Sequence, residues 1–180
     1  LLWLGELRLR GVDCQAGLHI YGQPVVSLHP GSTITLGKNV TLDSSRRANP
    51  LGGNSPCVLR TVARGARLKI GDSAGISSSI LVAGRSIEIG ENSLIGAGCM
   101  IVDNDFHVRS TPETWTTDCE THSRPVKIGA GCFLGARCIV LKGVTLGSGV
   151  VVGAGSVVTK SFPAGSVIGG NPAGLLRSQS

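Results

Sequence analysis

Aromatic residues make up only 3% of this 180-residue chain, too few for a conventional mixed core. No two cysteines form a C-x-x-C pair, which argues against a zinc ribbon or a redox motif. The apolar start at Leu1, Leu2 and Leu4 is broken by Gly5 and Glu6, too short for a signal segment or a membrane span. The formal charge of +6 has no block of like charges behind it. With so few aromatic faces for bases to stack on, nucleic acid is not an expected partner, whereas a small polyanionic ligand would suit the charge. The free cysteines and the missing leader signal give the expectation of a cytoplasmic protein with no membrane span.

What is present is Val, Ile and Leu together with 27 Gly, a mixture that favours many short strands joined by closely spaced turns. The apolar residues recur with a period of six. Aliphatic side chains fall at Ile128, Leu134, Val140, Leu146, Val152 and Val158, and small or apolar ones four places later, at Cys132, Cys138, Val144, Val150, Ser156 and Phe162. Gly129, Gly135, Gly147 and Gly153 follow their aliphatic residues directly. The same register runs through Ile70 and Ile76, through Ile89, Ile95 and Ile101, and through Leu36 and Leu42. A helix repeats at three and four and an extended strand at two, so six with glycine beside the aliphatic residue means a short strand plus a turn. Three hexapeptides close one triangular coil, and stacked coils place the aliphatic residues in a column roughly 4.8 Å apart. Such a solenoid needs caps at its ends. Cys99, Cys132 and Cys138 occupy the small inward position, where a buried thiol acts as a small hydrophobe. The expectation is a single domain over 1–180, an all-β parallel β-helix with a C-terminal cap at 170–180.

Two stretches leave the register. Residues 43–57 are polar and rich in Gly and Pro, and residues 103–125 hold Trp115, His107 and His122. Loops projecting from a rigid solenoid are where function is expected. A slip of one residue between Val82 and Ile89 reads as a bulge.

The hexads, the sequence DNDFH at 103–107 and the C-terminal run VGAGSVVTKSFPAGSVIGGNPAGLLR resemble the hexapeptide-repeat acyltransferases, in particular their sugar and polysaccharide O-acetyltransferase branch. The resemblance spans about residues 25–177. It implies left-handed winding, a homotrimer with active sites between subunits, acetyl-CoA as co-substrate and a sugar-type acceptor. His107 matches the family's catalytic base. Independently, acyl transfer to a hydroxyl needs a group that takes the proton as attack develops, and imidazole suits that task. Asp105 is the first choice to orient its other ring nitrogen, with Asp103 and a main-chain carbonyl as alternatives. Positions resembling coenzyme A contacts are Gly135, Ala136, Ala154, Thr159, Lys160 and Arg177: the small residues would let an extended arm lie against the coils, and the two cations would meet phosphates. Where many relatives have Trp, this chain has Phe133. Candidates for the acceptor are Ser77, Asn104 and Trp115, the last either as a platform for a sugar ring or as an anchor of its own loop.

Four other readings compete. A nucleophilic Cys119, three residues before His122, would give a two-step reaction. A zinc hydratase on this fold needs three converging histidines, and His19, His29, His107 and His122 form no close pair, so no metal is expected. The remaining two are an N-acetyltransferase of an amino-sugar nucleotide and a non-catalytic scaffold subunit.

Overall fold

In the computed structural model, which describes residues 2–47, 49–51 and 55–178, the chain winds into six stacked coils of three strands each. The first two coils are β1 (Asp13–Cys14), β2 (His19–Tyr21) and β3 (Val25–Ser27), then β4 (Thr33–Leu36), β5 (Thr41–Asp43) and β6 (Val58–Thr61). The middle coils are β7 (Arg67–Ile70), β8 (Gly75–Ser77) and β9 (Ile80–Ala83), then β10 (Ser86–Ile89), β11 (Leu94–Ile95) and β12 (Met100–Val102). After an excursion holding β13 (His107–Thr111) and β14 (Thr114–Thr117), the last coils are β15 (Val126–Ile128), β16 (Phe133–Leu134) and β17 (Ile139–Val140), then β18 (Thr145–Leu146), β19 (Val151–Val152) and β20 (Val157–Val158). Every third strand pairs in parallel, which produces three flat sheets running down the solenoid.

The predicted hexad residues line the inside. Ile128 pairs with Leu146, Leu134 with Val152 and Val140 with Val158, and all six are buried. Cys132, Cys138 and Ser156, two places before an aliphatic residue, are buried beside them. These small residues do more than fill space. Ser79, Cys99 and Cys138 donate hydrogen bonds to the carbonyl oxygens of Gly96, Gly135 and Gly153, at 2.8, 3.2 and 3.2 Å. Ser93 and Cys132 do the same to Gly129 and Gly147, at 2.8 and 3.1 Å. In each case the acceptor is the glycine that follows an aliphatic residue one coil further on. The three thiols are core residues as the register predicts, and beyond that inward Ser and Cys satisfy corner carbonyls that the ladder leaves behind.

Glycine at 135 is required by the same stacking. A Cβ there would stand 2.6 Å from the backbone nitrogen of Ala154 and 2.8 Å from its Cα.

The slip expected near Val82 is a corner rather than a bulge. Leu81 pairs with Ile101 and is the inward residue, only five places after Ile76, and Ser78 turns the tightened corner at φ 43°. The surplus residues emerge at Gly84 and Arg85, whose amides are held from the next coil, as described below.

The N-terminal end is closed by α1 (Leu2–Leu9), an element the hexad pattern does not foretell. Leu7 and Val12 are buried against the first coil, and Glu6 accepts hydrogen bonds from Gln23 at 3.1 and 3.3 Å. At the other end β21 (Ser166–Gly170) continues the second sheet in parallel, and β22 (Ala173–Ser178) turns back antiparallel to it.

The three outer faces differ. Down the first sheet the outward ladder reads Asp13, Thr35, Lys69, Glu88, Lys127, Thr145. Down the third it reads Val25, Val58, Ile80, Met100, Ile139, Val157.

Candidate active site

The excursion at 103–125 leaves at the corner between the third and first sheets, and Asp103 fixes the exit. This carboxylate is fully buried and accepts the backbone N–H of Gly84 at 2.6 Å and those of Arg85 and Ser86 at 2.7 Å each. Three charge-assisted bonds to consecutive amides make it an anchor for the corner, and this removes Asp103 from the list of partners for His107. A Cβ at Gly84 would overlap the carbonyl oxygen of Cys119 and the Ser123 hydroxyl, so the returning segment of the excursion lies directly on the glycine.

Asn104 is buried and also structural. Its amide donates to Asp103 at 3.0 Å and its side-chain oxygen accepts the N–H of Phe106 at 3.0 Å. The expectation that Asn104 contacts the acceptor is corrected, because both ends of the side chain are engaged inside the protein. Phe106 then sits at φ 62°, and the His107 N–H donates to the Asp105 carbonyl oxygen at 2.7 Å. A three-residue turn of this sign is rare and strained for a bulky residue. It aims His107 away from the coil, where the ring is exposed at the base of the hairpin and paired across from Thr117.

His107, Asp105, Trp115 and Thr117 line an open cleft of about 630 Å³. Asp105 does not hold the imidazole: its carboxylate is ion-paired with Lys142 of the next coil. Among the described residues, no side chain is hydrogen-bonded to the His107 ring. Lys142 went unnoticed in the sequence, although the hexad pattern flags it: Leu141 and Lys142 stand where neighbouring corners carry glycine and a small residue. Trp115 is 61% exposed, which excludes the buried-anchor reading. Arg109 lies 4.9 Å from its ring centroid across the hairpin, so one face of the indole is covered by a guanidinium.

The remaining candidates are distributed. Gly135, Ala136 and Ala154 stack on the corner between the second and third sheets, Gly135 buried and Ala154 exposed. Thr159 and Lys160 lie on the same corner as the excursion, two coils below it, with Lys160 5.6 Å from the Phe162 ring centroid. Arg177 pairs across from Val167 on the second sheet. Ser77 lies elsewhere, in a groove of about 610 Å³ on the second sheet with Tyr21, Asp43, Leu94 and Phe133. Within one chain, then, the cleft gathers His107, Asp105 and Trp115 but not Ser77, and the coenzyme candidates flank the third sheet on both corners.

Cys119 is poorly suited to act as a nucleophile. Partial burial and the carboxylates of Asp118, Asp103 and Glu120 all push its thiol above the ordinary value. Among the described residues, no three His, Cys, Asp or Glu side chains stand close enough to share a metal ion. No helix there is long and apolar enough to cross a membrane.

The hexapeptide repeat of succinyl-transferase matches residues 86–102 and 125–160, stopping and resuming at the two ends of the excursion. Serine acetyltransferase 2 of Arabidopsis thaliana is 38% identical over 111 residues, 61% of this chain and 32% of its own length. The chain therefore spans about a third of that relative. A hexapeptide-repeat acetyltransferase of Vibrio cholerae, solved with acetyl coenzyme A, is 28% identical with a TM-score of 0.54, covering 62% of this chain and 60% of that one. AntD, an N-acyltransferase from Bacillus cereus, solved as a point mutant with dTDP-4-amino-4,6-dideoxyglucose and coenzyme A, covers 98% of this chain and 89% of its own. Its TM-score is 0.74 at 20% identity. The fold is a left-handed parallel β-helix, and over residues 86–102 and 125–160 its coils match the hexapeptide repeat of acyltransferases.

Proposed function

We propose that the protein transfers an acetyl group from acetyl-CoA to a hydroxyl of a sugar or polysaccharide precursor, with His107 as general base. The observation that carries this reading is the placement of His107. It is exposed in an open cleft, on the same solenoid corner as Thr159 and Lys160 and two coils above them, roughly 10 Å at 4.8 Å per coil. A thioester lying along that corner would bring its acyl end toward the imidazole and its phosphates toward Lys160. The acceptor hydroxyl attacks the carbonyl carbon as His107 takes its proton. When the tetrahedral intermediate collapses, the C–S bond breaks and the imidazolium returns that proton to the departing thiolate. No covalent enzyme intermediate is needed. Asp105 acts at one remove, its pairing with Lys142 tying the strained turn before His107 to the next coil.

In this reading the protein works as a homotrimer with sites between subunits. Two features support it: the apolar outward ladder of the third sheet, and the separation within one chain of Ser77 and Arg177 from the His107 cleft. Six free cysteines suit a reducing, cytoplasmic setting.

The test is thiol release from acetyl-CoA against free sugars, glycan fragments and amino-sugar nucleotides. Turnover with a hydroxyl acceptor should fall about 10²–10⁴-fold in His107→Ala and remain near wild type in Cys119→Ala. A loss below about tenfold in His107→Ala would remove the base assignment. A preference for amine acceptors would move the reaction to N-acetylation.

A further inference from the structure

On the far side of the hairpin base from Lys142, the corner between the third and first sheets holds a second cavity, of about 360 Å³, into which Arg64, Arg67, Arg85 and Glu120 converge. Three other cations on this side of the solenoid have partners in the chain. Lys142 pairs with Asp105, Arg109 stacks on Trp115 and Lys160 lies over Phe162. Among the described residues, none of the three arginines in this cavity forms an ion pair, Glu120 included.

Their positions are fixed from beneath. The Arg64 stem lies across Gly31, where a Cβ would be 3.4 Å from its Cγ. The Arg67 N–H donates to the Arg85 carbonyl oxygen at 3.0 Å, and the Arg85 N–H to buried Asp103 at 2.7 Å. At Gly65 the floor is open, with nothing within 4 Å of where a Cβ would stand. Three guanidinium groups and one carboxylate leave a local charge of about +2. That matches a phosphate dianion better than a single carboxylate, and guanidinium forks suit its oxygens.

We infer that Arg64, Arg67 and Arg85 form a binding site for a phosphate group, either carried by the acceptor or present as free phosphate. Glu120 belongs to the excursion that bears His107, so a ligand here sits against the same segment that positions the base. The acceptor half of this inference rests on the acyltransferase reading, but phosphate binding does not, and the two are tested apart.

Inorganic phosphate, a hexose 1-phosphate and the neutral hexose are titrated calorimetrically into the intact protein at low ionic strength, without acetyl-CoA. Both phosphates should bind and the neutral sugar should not. In Arg64→Ala/Arg85→Ala affinity should drop about tenfold or more, since two charge-assisted contacts are each worth at least that factor in favourable cases. Glu120→Gln, which removes the repelling charge, should bind more tightly, and keeps the test open should the double variant fold poorly. Hexose 1-phosphate binding far more tightly than phosphate would identify the acceptor as the source, and equal affinities would identify the free anion. Unchanged affinity in the double variant, or no binding of either phosphate to the wild type, would overturn the site. Phosphate binding in a protein that turns over no acceptor would instead count against the enzymatic reading.

Discussion

The coils at 126–158 and the excursion at 103–125 are adjacent in the chain, yet their order comes from different sources. In the coils each position answers to the period: Leu134 lies over Ile95 and under Val152, and a carbonyl such as that of Gly129 finds Ser93 because the spacing puts it there. In the excursion nothing repeats, and its anchoring polar groups each have an individual partner. Asp103 takes three amides, Asn104 ties Asp103 to Phe106, and Asp118 takes the amides of Glu120 and Thr121 at 2.8 and 2.9 Å. Hydrophobic stacking tolerates conservative change, whereas a buried polar anchor does not. The excursion should therefore be the more fragile of the two.

The largest effect is expected at Asp103. Asp103→Ala would strand three amides beside the corner and should destabilise the protein by about 3 kcal/mol or more, visible as a lower denaturation midpoint and as faster hydrogen exchange at Gly84, Arg85 and Ser86. If the midpoint held and exchange at those amides stayed slow, the contrast between the two regions would fail at its strongest point.

A smaller loss, about 1–3 kcal/mol, should follow Ser93→Ala, which removes the donor to Gly129 and the acceptor for the Cys132 N–H. Ser93→Cys should recover part of it, because a thiol donates from the same position elsewhere in the coil. Equal losses in the two variants would mean that the inward Ser and Cys residues serve only as filler.

The smallest effect is a pH dependence confined to the excursion. Hydrogen bonds from the Thr121 hydroxyl and from the amides of Thr121 and Glu120 lower the Asp118 pKa to about 2. A carboxylate depressed in the folded state contributes stability above its unfolded value, about 3.9, and loses it as pH falls through the folded one. Exchange at Glu120 and Thr121 should thus quicken between about pH 4 and pH 2, and Asp118→Asn should abolish that dependence. Coil amides such as Gly135 should not follow it.

Much of the coil was legible in the residues. Ile128 and Leu146, three hexads apart, could be stacked from their spacing because within an unbroken run a period of six leaves one inward register. Phe162 was read as the last small or apolar position, in register with Val144; it instead bridges to Leu146, the aliphatic position, at the end of the stack. Helix α1 was not legible, since eight residues carry too little periodicity and the helix is held by docking Leu7 onto the first coil. Asp105 was read as the partner of His107 from proximity in sequence. The strained turn at Phe106 separates the two side chains and leaves the carboxylate to Lys142, 37 residues away along the chain.

By itself the sequence determined the solenoid, the limits of its interruption and the presence of an exposed histidine at the exit, because these follow from local periodicity and from where it stops. Only the tertiary structure decided which carboxylate anchors and which pairs, that Arg64, Arg67 and Arg85 share one cavity, and that the third sheet alone presents an unbroken apolar ladder outward. Those facts depend on which residues of different coils come to lie side by side. That is set by how each corner closes, and spacing along a single coil does not encode it.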